Sequence, residues 1–213
     1  MKHKIILASN SPRRRELLAG LDIPFEVKVL PGVSESYPES LSAEEIPEYI
    51  ACEKASAYKG MIAAGELVLT ADTVVILDGR VLGKPKDLAE ARAMLHGLSG
   101  KVHHVTTGVC LTTANAQRHF SVTTEVTFRR LTDEEIDYYV DHYKPLDKAG
   151  AYGVQEWIGY VGVTGLNGSY YNVMGLPVQR IYQELREIEA ENARTGQGGG
   201  QAACMDRNHS FRF

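Results

Sequence analysis

Long apolar runs, paired cysteines and an excess of positive charge are all missing from this sequence. The N-terminus, MKHKIILASNSP, offers only the short run IILA before Ser, Asn and Pro. That is too little for the apolar part of a signal peptide or for a membrane span, so the expectation is a cytosolic protein with no membrane association. Cys52, Cys110 and Cys204 are far apart in sequence with no CxxC pair, so neither a disulfide framework nor a thiolate zinc site is suggested, and reduced, mostly structural thiols are expected. With 23 basic against 27 acidic side chains, the net charge of −4 gives no general attraction to nucleic acid. Any anionic ligand must be held by a local basic cluster.

Two familiar motifs are also absent. GRVLGKPKD looks like a phosphate loop, but it has three residues between its glycines instead of four, and Pro85 stands where a Walker sequence has Ser or Thr for magnesium. No GxSxG elbow exists, since Gly168-Ser169-Tyr170 lacks the second glycine, so a Ser-His-Asp hydrolase is not supported. His103 and His104 are neighbours on an expected strand, point to opposite faces and cannot share a metal.

What is present is one globular unit's worth of alternating strands and helices, 213 residues of which 44% are hydrophobic. Residues 4–8 read as a buried strand, and Ser11-Pro12 as the cap and first position of a helix over RRRELLAGL. Phe25 to Leu30 is a second, weakly alternating strand, and Ser42 and Glu45 have capping-box spacing ahead of a helix that carries Ile50, Lys54 and Tyr58, with Pro47 leaving its start open. An apolar run over 67–77, interrupted by Asp72, leads into an Asp78-Gly79 turn. A helix capped by Asp87 and Glu90 follows, then two strands around an Ala114-Asn115 turn, the second with Phe120, Val122, Thr124, Val126 and Phe128 on one face. Thr132 and Glu135 form a capping box for a helix whose apolar face is Ile136, Tyr139, Val140 and Tyr143. The segment from Lys148 to Pro177 is rich in glycine, which suits close backbone approach to a ligand, and Pro177 opens a last helix. One domain is expected over 1–191, with 192–213 a flexible Gly-rich tail that has too little apolar surface to fold.

Several polar side chains stand where chemistry could use them. Arg13, Arg14 and Arg15 lie in the first turn of a helix, where cations are unfavourable unless an anion is bound, so they form either a solvated basic turn or a phosphate grip with Ser9 or Ser11. Asp72 inside an apolar strand is either a site residue or a turn cap. Lys54 either snorkels along an apolar face or enters a cleft, and Lys84 is either a turn lysine or a phosphate partner held by Pro85.

Taken together, LASNSPRRRELL, the EKA around Lys54, ADTVV, LGKPKD, LSG with HHVTTGV, DKAGAYGVQ and GSYYNVMGLP resemble the Maf-like nucleotide pyrophosphatases in order and spacing over about residues 4 to 186. The resemblance implies an α/β fold, a curved mixed β-sheet flanked by helices and forming two lobes around a cleft, with a divalent metal cation (Mg²⁺ or Mn²⁺) and a triphosphate in that cleft. It assigns Asp72 as proton acceptor, Arg13, Thr73 and Gln155 as determinants of substrate choice, and Ser9, Arg14, Glu35, Lys54 and Lys84 as cleft residues. DKAGAYGVQ is similar to the branch that acts on dTTP and UTP. Two departures from the family pattern are Asn10, where glycine is common, and Glu156-Trp157-Ile158, which replaces a small, glycine-rich stretch and bears on the base pocket.

The expected activity is hydrolysis of dTTP or UTP to the monophosphate and pyrophosphate, limiting the use of unwanted nucleotides. Asp72, with Glu35, would hold the metal; Lys54 and Lys84 would stabilise transition-state charge. The alternatives are a nucleotide-binding regulator of cell division, or a pyrophosphatase for purine or modified nucleotides such as 7-methyl-GTP. The expected partner is the nucleoside triphosphate substrate and no nucleic acid, and a homodimer is left open.

Overall fold

The protein is seen here as a computed structural model, which describes residues 2–195. Its elements run β1 (Lys4–Leu7), α1 (Pro12–Ala19), β2 (Phe25–Val27), α2 (Ile46–Ser56), β3 (Glu66–Leu77), β4 (Arg80–Leu82), α3 (Leu88–Leu98), β5 (Val102–Thr112), β6 (Gln117–Phe128), α4 (Asp133–Tyr143), α5 (Trp157–Gly162), β7 (Val163–Asn167), α6 (Tyr170–Met174) and α7 (Val178–Thr195). Seven strands form one mixed sheet in the order β2-β1-β3-β5-β6-β7, with β4 on β3. β1 is parallel to both its neighbours, whereas β3, β5, β6 and β7 are joined antiparallel.

The long strand β3 organises the packing because its side chains alternate. Leu67, Leu69 and Ala71 point into an apolar core closed by Leu17 and Leu18 of α1 and Ile181 and Leu185 of α7. Further along the same face, Val75 and Leu77 enter a second core with Leu95 and Leu98 of α3, Ile136, Tyr139 and Val140 of α4, and Ile158 of α5. Thr73 falls between the two cores. The opposite face is covered by α2, whose Ile46 and Ile50 pack on Val74 and Ile76. That helix lies unusually close to the sheet: a Cβ on Gly108 of β5 would sit 2.2 Å from the backbone nitrogen of Glu48. Thr70 Oγ1 donates to the Ala51 carbonyl of the same helix at 2.7 Å.

Local signals in the chain set most boundaries. Ser11 caps α1 by accepting from the Arg14 N–H, with Pro12 at the first helical position. Asp87 caps α3, and Thr132 with Glu135 completes a reciprocal capping box on α4. Asp78-Gly79 and Ala114-Asn115 turn their hairpins as expected. The second strand is shorter than Phe25 to Leu30, ending at Val27, because Tyr58 Oη takes over the backbone beyond it: it donates to the Lys28 carbonyl and accepts from the Leu30 N–H. Ser42 and Glu45 do bond to each other, but they form a turn ahead of α2, which starts at Ile46 with Pro47 in its first turn.

The glycine-rich segment is more regular than its composition suggests. It contains α5, β7 and α6, and most of its glycines serve packing: Cβ atoms on Gly150, Gly159 and Gly168 would strike Val75, the Val154 carbonyl and Thr124. Helix α7 continues through Thr195, four residues past the expected domain boundary, and residues 196–213 of the expected tail lie outside the described residues. Cys52 and Cys110, distant in sequence, meet where α2 packs on β5, both as free thiols.

Candidate active site

The cleft arises from a change of partner along one edge of β3. Parallel β1 pairs with residues 66–69 and antiparallel β4 with residues 75–77, while β5 covers the other edge without a break from Val68 to Ile76. Between the two partners the edge is open, and Asp72 stands at the middle of the opening. A cavity of about 680 Å³ occupies it, of a size suited to a nucleotide.

Arg14 bridges this opening. Its Nη1 donates to the Ala71 carbonyl at 2.7 Å, its Nη2 to Thr73 Oγ1 at 3.0 Å, and its Nε to the Gly175 carbonyl at 2.8 Å. Thr73 Oγ1 also bonds to Thr107 Oγ1, which donates to the Asn172 carbonyl. Burial lowers the Arg14 pKa from its ordinary value, opposed by the Asp72 charge. The expected phosphate grip is therefore divided. Arg14 ties α1 to β3 and to the loop at Gly175, while Arg15 is exposed and absent from the cavity lining.

On the α2 face, Lys54 reaches between two carboxylates. Its ammonium is 2.8 Å from Asp72 Oδ1 and 2.7 Å from Glu35 Oε1, with Lys54 and Asp72 side chains only 16% and 15% exposed. The hydrogen bond from Lys54 lowers the Glu35 pKa; burial opposes this, and the charges of Lys54, Lys84 and Arg14 add to the lowering. Lys84, in the loop after β4, is exposed on the same cavity, beside the buried Pro85. Ser9 is buried there and accepts from the Ser11 N–H at 3.2 Å. The structure thus brings Ser9, Arg13, Arg14, Glu35, Lys54, Asp72, Thr73, Lys84 and Gln155 to one cavity. Among the described residues, no three His, Cys, Asp or Glu side chains are grouped to hold a metal.

Sequence reasoning assigned nothing to Asp147 and Lys148, although both line the cavity. Arg13 Nη1 is paired with Asp147 Oδ2 at 2.7 Å, and the buried Lys148 ammonium lies 2.8 Å from Asp147 Oδ1 and 3.0 Å from Glu156 Oε1. Burial alone would raise the Asp147 carboxyl, but Lys148 and Arg13 outweigh it and hold its pKa down at about 2. An adjacent Asp-Lys pair opening an apolar, glycine-rich stretch was the available signal. Among the described residues, the lining contributes five cationic side chains, Arg13, Arg14, Lys54, Lys84 and Lys148, against the three carboxylates of Glu35, Asp72 and Asp147. An anion is favoured here although the whole chain is negative.

Gln155 has a buried Oε1 with no hydrogen-bond partner among the described residues. An orphaned acceptor on a cavity wall is costly unless a ligand supplies a donor. Trp157 is elsewhere: it packs edge-on against Tyr138, 4.8 Å between ring centres, and does not line the cavity. The departure at 156–158 therefore bears on the pocket through Glu156, not through indole stacking. The histidines divide as expected. His104 is exposed, while His103 is buried with Nε2 2.7 Å from Tyr152 Oη.

Residues 4–188 match the family model described as Maf-like protein. A dTTP/UTP pyrophosphatase of Phocaeicola vulgatus is 66% identical over 88% of this chain and 97% of its own length. One of Bacteroides thetaiotaomicron is 58% identical with the same coverage. Among solved structures, a HAM1 protein from Coxiella burnetii aligns over 87% of this chain and 99% of its own, with 18% identity and a TM-score of 0.44. No helix among the described residues is long and apolar enough to cross a membrane.

Proposed function

The chain belongs to the Maf-like protein family, and on that premise we propose that it hydrolyses dTTP and UTP between the α- and β-phosphates, releasing the monophosphate and pyrophosphate. The observation that carries the base assignment is the unpartnered Gln155 Oε1. Uracil and thymine offer a donor at N3 beside an acceptor at O4, and a primary amide accepts from the first while donating to the second.

The cationic side of the cleft takes the triphosphate. Lys84, and Arg13 through nitrogens other than the Nη1 paired with Asp147, are placed to meet phosphate oxygens, since Arg14 is already bonded through three nitrogens. Water attacks the α-phosphorus, the bond to the bridging oxygen breaks, and pyrophosphate leaves with charge that Lys54 and Lys84 neutralise. Asp72 accepts the proton from the attacking water through the carboxylate oxygen that Lys54 does not hold.

Asp72 and Glu35 suit a divalent cation that arrives with substrate, because Mg²⁺ and Mn²⁺ commonly take one or two carboxylates and complete their shell with phosphate oxygens and water. Such an ion, when bound, supplies neutralisation of the triphosphate charge. We place the activity in the cytosol, where the nucleotide pool lies.

The test is pyrophosphate release across dTTP, UTP, CTP, GTP and ATP with Mg²⁺ or Mn²⁺. Many turnovers on dTTP and UTP, well above CTP and lowest on purines, are expected. Release that stops at one equivalent per chain would instead identify a nucleotide-binding regulator, and a preference for a purine would remove Gln155 as reader of a pyrimidine.

A further inference from the structure

Gln155 occupies a turn that is held from outside the cleft. The turn is closed by the Glu156 N–H donating to the Gly153 carbonyl at 3.0 Å, so Gln155 sits at its third position. The Gly153 N–H donates to Tyr139 Oη at 3.0 Å, and Tyr139 Oη donates to Glu156 Oε2. Tyr139 comes from α4 and is completely buried. A Cβ on Gly153 would lie 2.9 Å from Glu156 Cδ and 3.0 Å from Gln155 Nε2, so both side chains fold back over that bare Cα. Glu156 occupies the N-cap of α5 without capping it, its carboxylate being turned to Tyr139 and Lys148.

From Glu156 the links continue across the cleft. Lys148 joins Glu156 to Asp147, and Asp147 joins Arg13 in the first turn of α1. Alternating charges thus run from the arginine proposed to meet phosphate to the turn carrying the amide proposed to meet the base. The links among Tyr139, Glu156 and Lys148 are buried or nearly so, and breaking one strands a charge or a polar group, whereas Asp147 is 58% exposed and its pair with Arg13 is a surface contact.

We infer that Tyr139 and Glu156 are positioning residues for base selection, which hold the 153–156 turn and so fix the orientation in which the Gln155 amide meets a pyrimidine base. This rests on the reading of Gln155 given above. Neither residue touches substrate; both act through the 153–156 turn.

The experiment measures kcat and KM for dTTP and CTP in Tyr139→Phe, Glu156→Ala, Glu156→Gln and Gln155→Ala, with thermal unfolding of each. Tyr139→Phe and Glu156→Ala should raise the dTTP KM about tenfold, leave kcat within about twofold, and shrink the dTTP to CTP ratio of kcat/KM, as expected for a lost buried hydrogen bond felt in binding. Glu156→Gln still accepts from Tyr139 and should return KM to within about threefold of wild type. A lowered melting temperature with an unchanged ratio in Tyr139→Phe and Glu156→Ala means ordinary core residues and overturns the inference. If Gln155→Ala loses selectivity while those two variants keep it, the positioning role alone falls. If Gln155→Ala keeps wild-type selectivity, the base reading beneath it falls.

Discussion

Gly108→Ala adds one methyl group at the point where α2 lies against the sheet. The new Cβ would be 2.2 Å from Glu48 N, 2.3 Å from Pro47 C and 2.4 Å from Glu48 Cα, all backbone atoms that no rotamer change can move. Carbon contacts need about 3.5 Å, so α2 must retreat by roughly 1 Å. Gly108 is directly opposite Asp72 in the β3–β5 register, and Lys54 stands on the displaced helix. A rigid retreat of that size would stretch the 2.8 Å contact between Lys54 and Asp72 to about 4 Å, beyond hydrogen bonding. Two losses are expected together. Stability should fall by about 3 kcal/mol, the upper end for overpacking because the obstacle is backbone. Turnover should fall about 100-fold, the usual effect of misplacing a reacting group by 1 Å. Urea unfolding followed by the fluorescence of Trp157 gives the first, and pyrophosphate release from dTTP the second. A Gly108→Ala protein with wild-type midpoint and rate would show that the close approach of α2 does not set the site.

Asp72→Asn keeps shape but removes the proton acceptor, and kcat for dTTP should drop at least about 100-fold while the melting temperature stays near wild type. His103 is buried and its pKa is lowered to about 4, by burial first and then by the His104 charge. The unfolded chain therefore binds the extra proton between pH 6.5 and 4, so this stability is fully present above 6.5 and is lost as pH falls toward 4. His103→Gln should flatten the fall in unfolding free energy over that window by about 3 kcal/mol in denaturant titrations at several pH values. Asp147, held at about 2 by its two cations, should contribute a further loss only between about pH 4 and 2, absent in Asp147→Asn. Removing 196–213 should leave kcat/KM within error, because the family match ends at residue 188.

The sequence was most informative where a short rule governs structure. Caps at Ser11, Asp87 and Thr132, the turn at Asp78-Gly79 and the alternation of β6 each depend on residues within a few positions of one another. The expected site residues also converge, since the family motifs carry their order along the chain. Less visible was what depends on distant partners. Arg14 reads as a phosphate ligand until Ala71, Thr73 and Gly175 are seen around it, and Trp157 reads as a pocket residue until Tyr138 is found beneath it. Lys148 and Glu156 belong to a charge chain whose members come from three separate segments, and no local pattern announces it. The glycines mislead for a related reason: bare Cα atoms admit a ligand or a neighbouring backbone equally well, and Gly159 faces a carbonyl.

The long middle strand has a mechanical consequence. Because β3 is bonded to β1 at one end and β4 at the other, the floor between the two ends of the cleft is a single piece of backbone, and β5 braces that piece along its far edge from Val68 to Ile76. Bending that floor at Asp72 would work against both this brace and the Arg14 fork, which joins the residues on either side. Asp72 and Thr73 are thereby held at one spacing from Arg14, and the remaining walls of the cleft are set against that common floor.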